Sequence, residues 1–136
     1  MNSRALKRWR IPNRFRVREL KAFAWQYNEW IAALEELPEI SAVDNDGMPH
    51  GTSISDPVAR LAGLREVYQM KVGMVDHCLS HCCGDDSLRK AVRKSVTSPG
   101  GLTYAWLKTN GYLHHERDTY YEAVQKFYWI LDQLKI

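Results

Sequence analysis

Residues 55–83 read Ser-Asp-Pro-Val-Ala-Arg-Leu-Ala-Gly-Leu-Arg-Glu-Val-Tyr-Gln-Met-Lys-Val-Gly-Met-Val-Asp-His-Cys-Leu-Ser-His-Cys-Cys, the longest helical pattern in the chain. Leu61, Leu64, Tyr68, Val72, Val75, Leu79 and Cys82 recur at steps of three and four, the stripe of an amphipathic helix. Ser55-Asp56-Pro57 is a fitting start: the Asp56 carboxylate can cap, and Pro57 at the first helical position loses no hydrogen bond. Gly84 ends the pattern. A helix of this length needs neighbours along its apolar side, so the rest of the chain is read for what could cover it.

Upstream, Leu20, Phe23, Tyr27, Trp30, Ile31, Leu34 and Leu37 form a similar stripe, which predicts one helix over residues 14–37. Pro38 stops it, because the residue before a proline is driven out of helical geometry. Pro38, Asn45, Gly47, Pro49 and Gly51 make 38–55 a loop. Near-heptad spacing on both sides of that loop predicts a long antiparallel hairpin over 14–83. Its seam can close within one chain or between two, which makes a homodimer one of the expected assemblies. Residues 1–13 are basic, end in Ile11-Pro12-Asn13 and are expected to form a loose arm.

Downstream, the units shorten. Asp85 or Asp86 can cap a helix reaching Val96, with Leu88, Val92 and Val96 on one side. Ser98-Pro99-Gly100-Gly101 is a turn. Thr103 can cap a helix carrying Tyr104, Trp106 and Leu107, closed by Asn110-Gly111 in a left-handed C-terminal cap. A last helix carries Tyr120, Val124, Phe127, Tyr128, Leu131 and Leu134. No segment alternates with a period of two, so the fold class is all-α, and residues 84–136 form a three-helix, helix-turn-helix-like unit.

Hydrophobic residues make up 45% of the 136 and charged residues 26%, which suits a folded chain and not a disordered one. No run of about 18 apolar residues occurs, which excludes a spanning helix. Nothing resembles a secretory leader. Cys78, Cys82 and Cys83 are odd in number and crowded together, so a disulfide framework is excluded and a cytoplasmic setting is expected. The net charge of +3 is unevenly placed. Arg4, Lys7, Arg8, Arg10, Arg14, Arg16, Arg18 and Lys21 crowd the start, and Arg89, Lys90, Arg93 and Lys94 form a second cluster, while residues 35–56 carry acids and no Lys or Arg. Clustered cations suit a polyanion through counterion release.

The segment Glu116-Arg117-Asp118-Thr119-Tyr120-Tyr121, with Lys126-Phe127-Tyr128-Trp129-Ile130-Leu131 after it, resembles the recognition-helix end of small phage and prophage regulators. These are the late transcription regulators of the RinA and ArpU type, similar to region four of sigma factors. Asp46-Gly47-Met48-Pro49-His50-Gly51-Thr52-Ser53-Ile54-Ser55-Asp56-Pro57 resembles the loop such proteins place between two N-terminal helices. The resemblance implies a sequence-specific regulator of phage or mobile-element genes that binds double-stranded DNA. Arg117, Thr119, Tyr120 and Tyr121 would then open the recognition helix, and Lys126 would meet the backbone. Arg117 can pair with a guanine edge, and Thr119 can reach a phosphate or a base. Arg89, Lys90, Arg93 and Lys94 complete the expected DNA-contacting set, and the hairpin would serve dimerisation or contact RNA polymerase.

The pattern departs from those regulators at Glu122, Ala123, Val124 and Gln125, where basic residues are usual, and at His114-His115-Glu116, where a Ser or Thr cap is common. An acid facing the groove repels phosphate. The alternative expectation is therefore a helical, dimeric protein-interaction adaptor that binds no DNA.

Catalytic and metal signatures are weak. His77 and His81, like Cys78 and Cys82, have the spacing of a helical chelating pair, but a structural zinc needs four ligands and no CxxC is present. Small buried cysteines beside exposed histidines explain the pattern more simply. Gly100-Gly101 reads as a turn, and Asp44, Asp46 and Glu39 as solvated acids. No nucleophile elbow, phosphate loop or zincin motif occurs, so no enzyme and no cofactor is expected.

Overall fold

The computed structural model describes residues 8–37 and 55–135, and these are helical with no strand. The helices are α1 (Arg14–Ala24), α2 (Tyr27–Glu36), α3 (Ser55–Cys82), α4 (Asp86–Val96), α5 (Tyr104–Thr109) and α6 (Arg117–Leu134). The loop expected over 38–55 lies, up to residue 54, outside the described residues, as do Arg4 and Lys7 of the arm.

The single helix expected over 14–37 is two helices. At Trp25 and Gln26 the backbone stays right-handed but tightens: Gln26 N–H reaches back to Phe23 O at 3.2 Å, a shorter loop than the α-helical one. The Gln26 side-chain amide donates to Ala22 O at 3.1 Å, so a carbonyl in the break keeps a partner. No glycine or proline marks the place, and a self-capping glutamine leaves no periodic signature.

The break sends the two halves to different neighbours. Tyr27 bonds Asp76, the Lys71 ammonium sits 5.4 Å from the Trp30 ring, and Arg65 donates to Leu37 O. These pairs descend along one helix as they ascend the other, so α2 and α3 lie antiparallel. α1 packs instead on α6, where the Arg16 guanidinium donates to Asp132 at 2.6 Å and to the carbonyls of Asp132 and Lys135. Arg16, read from sequence as part of a phosphate-seeking run, is spent on the carbonyl end of α6.

α3 is the central strut, packed along α2 and α6 and touching α4. Its cover is uneven. Val75, Cys78, Leu79 and Cys82 are buried, whereas residues 57–74 contain no buried side chain and Leu64 of the expected stripe is 38% exposed. The helix also begins at Ser55, ahead of the cap expected at Asp56. One apolar cluster takes residues from every helix, from Leu20 to Leu131, so Gly84 does not separate two cores.

The arm is partly packed. Trp9 meets Trp129 edge-on at 5.1 Å, Ile11 packs against the core, and Asn13 caps α1 by accepting from Phe15 and Arg16 N–H.

Candidate nucleic-acid interface

α4 is the most regular amphipath of the C-terminal part: Leu88, Ala91, Val92, Ser95 and Val96 are buried, and Lys90 and Lys94 face outward. Asp85 is its N-cap, accepting from Ser87 N–H at 2.9 Å and Leu88 N–H at 3.4 Å through one carboxylate oxygen. The other oxygen lies 2.6 Å from Nε2 of His115, in the turn before α6. The hydrogen bond to His115 holds the Asp85 carboxyl below its ordinary range; desolvation opposes this, and the two backbone N–H groups reinforce it.

α5 is short and firmly closed at both ends. Thr103 caps it by accepting from Trp106 N–H. Gly111, with φ +78°, lets Tyr112 N–H reach Leu107 O at 2.9 Å and Gly111 N–H reach Lys108 O at 3.3 Å, a Schellman closure. Tyr104 donates its hydroxyl to His115 O at 2.9 Å. The turn before α6 is thus held by α4 through Asp85 and by α5 through Tyr104, which fixes where Arg117 emerges. The connection 110–116 is longer than the three- or four-residue turn of a minimal helix-turn-helix.

The expected contact residues separate into two groups. Arg117 and Thr119 are exposed at the start of α6, and the Arg117 guanidinium lies 5.5 Å from the half-buried Tyr121 ring. Lys90 and Lys94 are exposed on α4. By contrast Tyr120 is only 2% exposed and packs in the core with Ala123, Phe127 and Leu131 at helical spacing, so it cannot touch a base. Its burial pushes the phenol pKa up. Lys126 is half-buried with its ammonium 5.0 Å from the Trp9 ring, turned to the arm.

Arg89 and Arg93 also have internal work. Arg89 donates to Leu79 O and Cys83 O at 3.0 Å each and pairs with Asp86, closing the carbonyl end of α3. Arg93 donates to the Tyr27 hydroxyl, which donates to Asp76. Burial, then the bond to Asp76, pushes the Tyr27 phenol up to about 12, so it stays a neutral donor.

Sequence reading passed over Lys108 and Tyr112 and took Trp106 for a core residue packed on the last helix, whereas Trp106 is 41% exposed. The Lys108 ammonium lies 5.5 Å from the Tyr104 ring and donates to its hydroxyl; Tyr104 stands 6.5 Å from Tyr121, which carries Arg117. Cation, ring, ring and cation thus join α5 to the start of α6. Trp106 and Tyr112 lie elsewhere on the same unit. A signal was available: residues 87–115 contain Arg89, Lys90, Arg93, Lys94 and Lys108 and no Asp or Glu.

Among the described residues no group of three His, Cys, Asp or Glu is placed to hold a metal ion. His77 and His81 are exposed with ring centres 4.3 Å apart, while Cys78 and Cys82 point into the core. Burial lifts both thiols to about 12, the opposite of a metal-ready or nucleophilic cysteine. No described helix is long and apolar enough to cross a membrane. No family model, no curated protein and no solved structure matches the chain.

Proposed function

We propose that the protein is a DNA-binding transcriptional regulator, of the kind found in phages and mobile elements, that offers the start of α6 to a major groove. The carrying observation is the Lys108–Tyr104–Tyr121–Arg117 ladder, which sets an exposed arginine at a helix start beside a stretch, 87–115, rich in cations and without acids. Arg117 is the base-reading candidate and Thr119 its neighbour; Lys90, Lys94 and Lys108 suit phosphates. Tyr120, Arg89, Arg93 and Lys126 act through the fold. Such a protein works on double-stranded DNA in the cytoplasm, with RNA polymerase and a second copy of the chain as the partners this role implies. It needs no cofactor and catalyses no reaction.

The test is fluorescence anisotropy with a site selected from random duplexes and with unselected duplex, across salt. Binding should weaken steeply as salt rises. Arg117→Ala should cost about 1–3 kcal/mol on the selected site and much less on unselected DNA. Equal loss on both would sink the groove-reading role.

A second reading, a helical adaptor, draws on α3. Leu64, Val67 and Met70, at three-residue spacing, are 38%, 41% and 59% exposed there. Self-association that Met70→Glu abolishes, with no DNA binding at low salt, would favour it.

A further inference from the structure

We infer that the protein carries a second nucleic-acid site, a stacking platform for an unpaired base, made by Trp106 and Tyr112 with Lys94. The two rings are nearly parallel, 9° apart with centres separated by 5.6 Å. Each is exposed, Trp106 at 41% and Tyr112 at 45%. The Lys94 ammonium lies 5.3 Å from the Tyr112 ring centre. Tyr112 therefore has a cation and an indole against it, and both rings reach solvent.

The Schellman closure of α5 explains why the chain at Tyr112 turns back toward Trp106. It does not explain two large exposed rings, since one aliphatic contact suffices for that motif. An exposed aromatic stack in acidic surroundings would suit a cationic partner. Here the stack lies in a stretch, 87–115, without an acid, and Lys90 and Lys94 of that stretch are exposed on α4, so the complementary partner is an anion with a flat π-face. Single-stranded DNA supplies both: a base extends the stack on the indole while phosphates meet Lys94 and Lys90. Duplex DNA cannot, because its bases are already stacked.

Trp106 and Tyr104 are separated by two positions on α5, hence on opposite sides of the helix. The platform is therefore distinct from the ladder that ends at Arg117, and it does not rest on groove reading by α6. A protein with both surfaces holds a duplex and an adjoining unpaired strand.

The test uses the full-length protein with a fluorescein-labelled oligo(dT) of about 12 nucleotides, an abasic oligomer of equal length and the matching duplex. Oligo(dT) should bind more tightly than the abasic oligomer and quench tryptophan emission. Trp106→Ala and Tyr112→Ala should each weaken oligo(dT) about tenfold and leave the duplex nearly unchanged. Trp106→Phe, which keeps a stacking ring and the cap contact, should restore most of the affinity. Equal binding of oligo(dT) and the abasic oligomer would overturn the platform, as would full oligo(dT) affinity in Trp106→Ala with unchanged circular dichroism. Duplex binding without oligo(dT) binding would overturn this inference alone and leave α6 as the DNA-reading helix.

Discussion

The Asp85 carboxylate holds two parts of the chain at once: one oxygen caps α4 and the other lies 2.6 Å from His115 Nε2, across thirty residues of sequence. The orientation of α6 therefore depends on a helix cap two helices upstream. Because the folded-state pKa of Asp85 is depressed, its contribution is present above the ordinary carboxylate pKa and is lost as pH falls through the depressed value. Thermal melts of the wild type and Asp85→Asn should therefore converge at acid pH and separate near neutrality, with the wild type more stable. A gap that persists below the carboxylate range would refute the linkage.

Arg16 ties α1 to the end of α6. Arg16→Ala removes one hydrogen bond to the Asp132 carboxylate and two to the carbonyls of Asp132 and Lys135, which should cost on the order of 1 kcal/mol and lower the melting temperature by a few degrees. Arg16→Lys, with a point charge instead of a fork, should recover only part. Full stability of Arg16→Ala in calorimetry would return this arginine to the pool of free cations.

Arg89 and Lys94 look alike in sequence and should behave oppositely. Arg89→Ala frees carbonyls at the end of α3 and should destabilise by about 1–2 kcal/mol. Lys94→Ala should leave stability alone and flatten the salt dependence of DNA affinity. The check is a denaturant titration beside a salt titration for each variant.

Tyr120 separates fold from contact. Tyr120→Ala opens a cavity in the core and should cost about 3–5 kcal/mol, while Tyr120→Phe keeps the ring and should leave DNA affinity intact. Loss of affinity in a fully folded Tyr120→Phe would contradict the burial.

The three thiols should not react alike. Cys78 and Cys82 are buried, with pKa pushed to about 12, whereas Cys83 is half-exposed. A colorimetric disulfide titration of native protein should show one fast thiol, and all three after denaturation. Cys83→Ser should remove the fast phase.

Much of the local structure follows from residues close together in the chain. A cap at Asp85 or Asp86, Thr103 as a cap, Gly111 in the left-handed conformation and the buried face of α4 are all set by backbone geometry over one or two turns and follow from the sequence; that Asp85 is the one that caps comes from the structure. The all-helical character follows from the sequence too, because period and breakers are local properties.

Partnership was not legible. Nothing near Gln26 signals a break, since the glutamine closes its own gap through Ala22. Whether an arginine is free or occupied depends on groups far along the chain, and so Arg16, Arg89 and Arg93 read as cations for phosphates and DNA until α6, α3 and Tyr27 were placed beside them. Spacing puts Tyr120 on the apolar stripe of α6, yet only the tertiary structure shows it too deep to touch a base and sets its neighbour Tyr121 beside Arg117. Local spacing is written in the order of residues, whereas the side of a helix that meets water is settled by what the other helices leave uncovered.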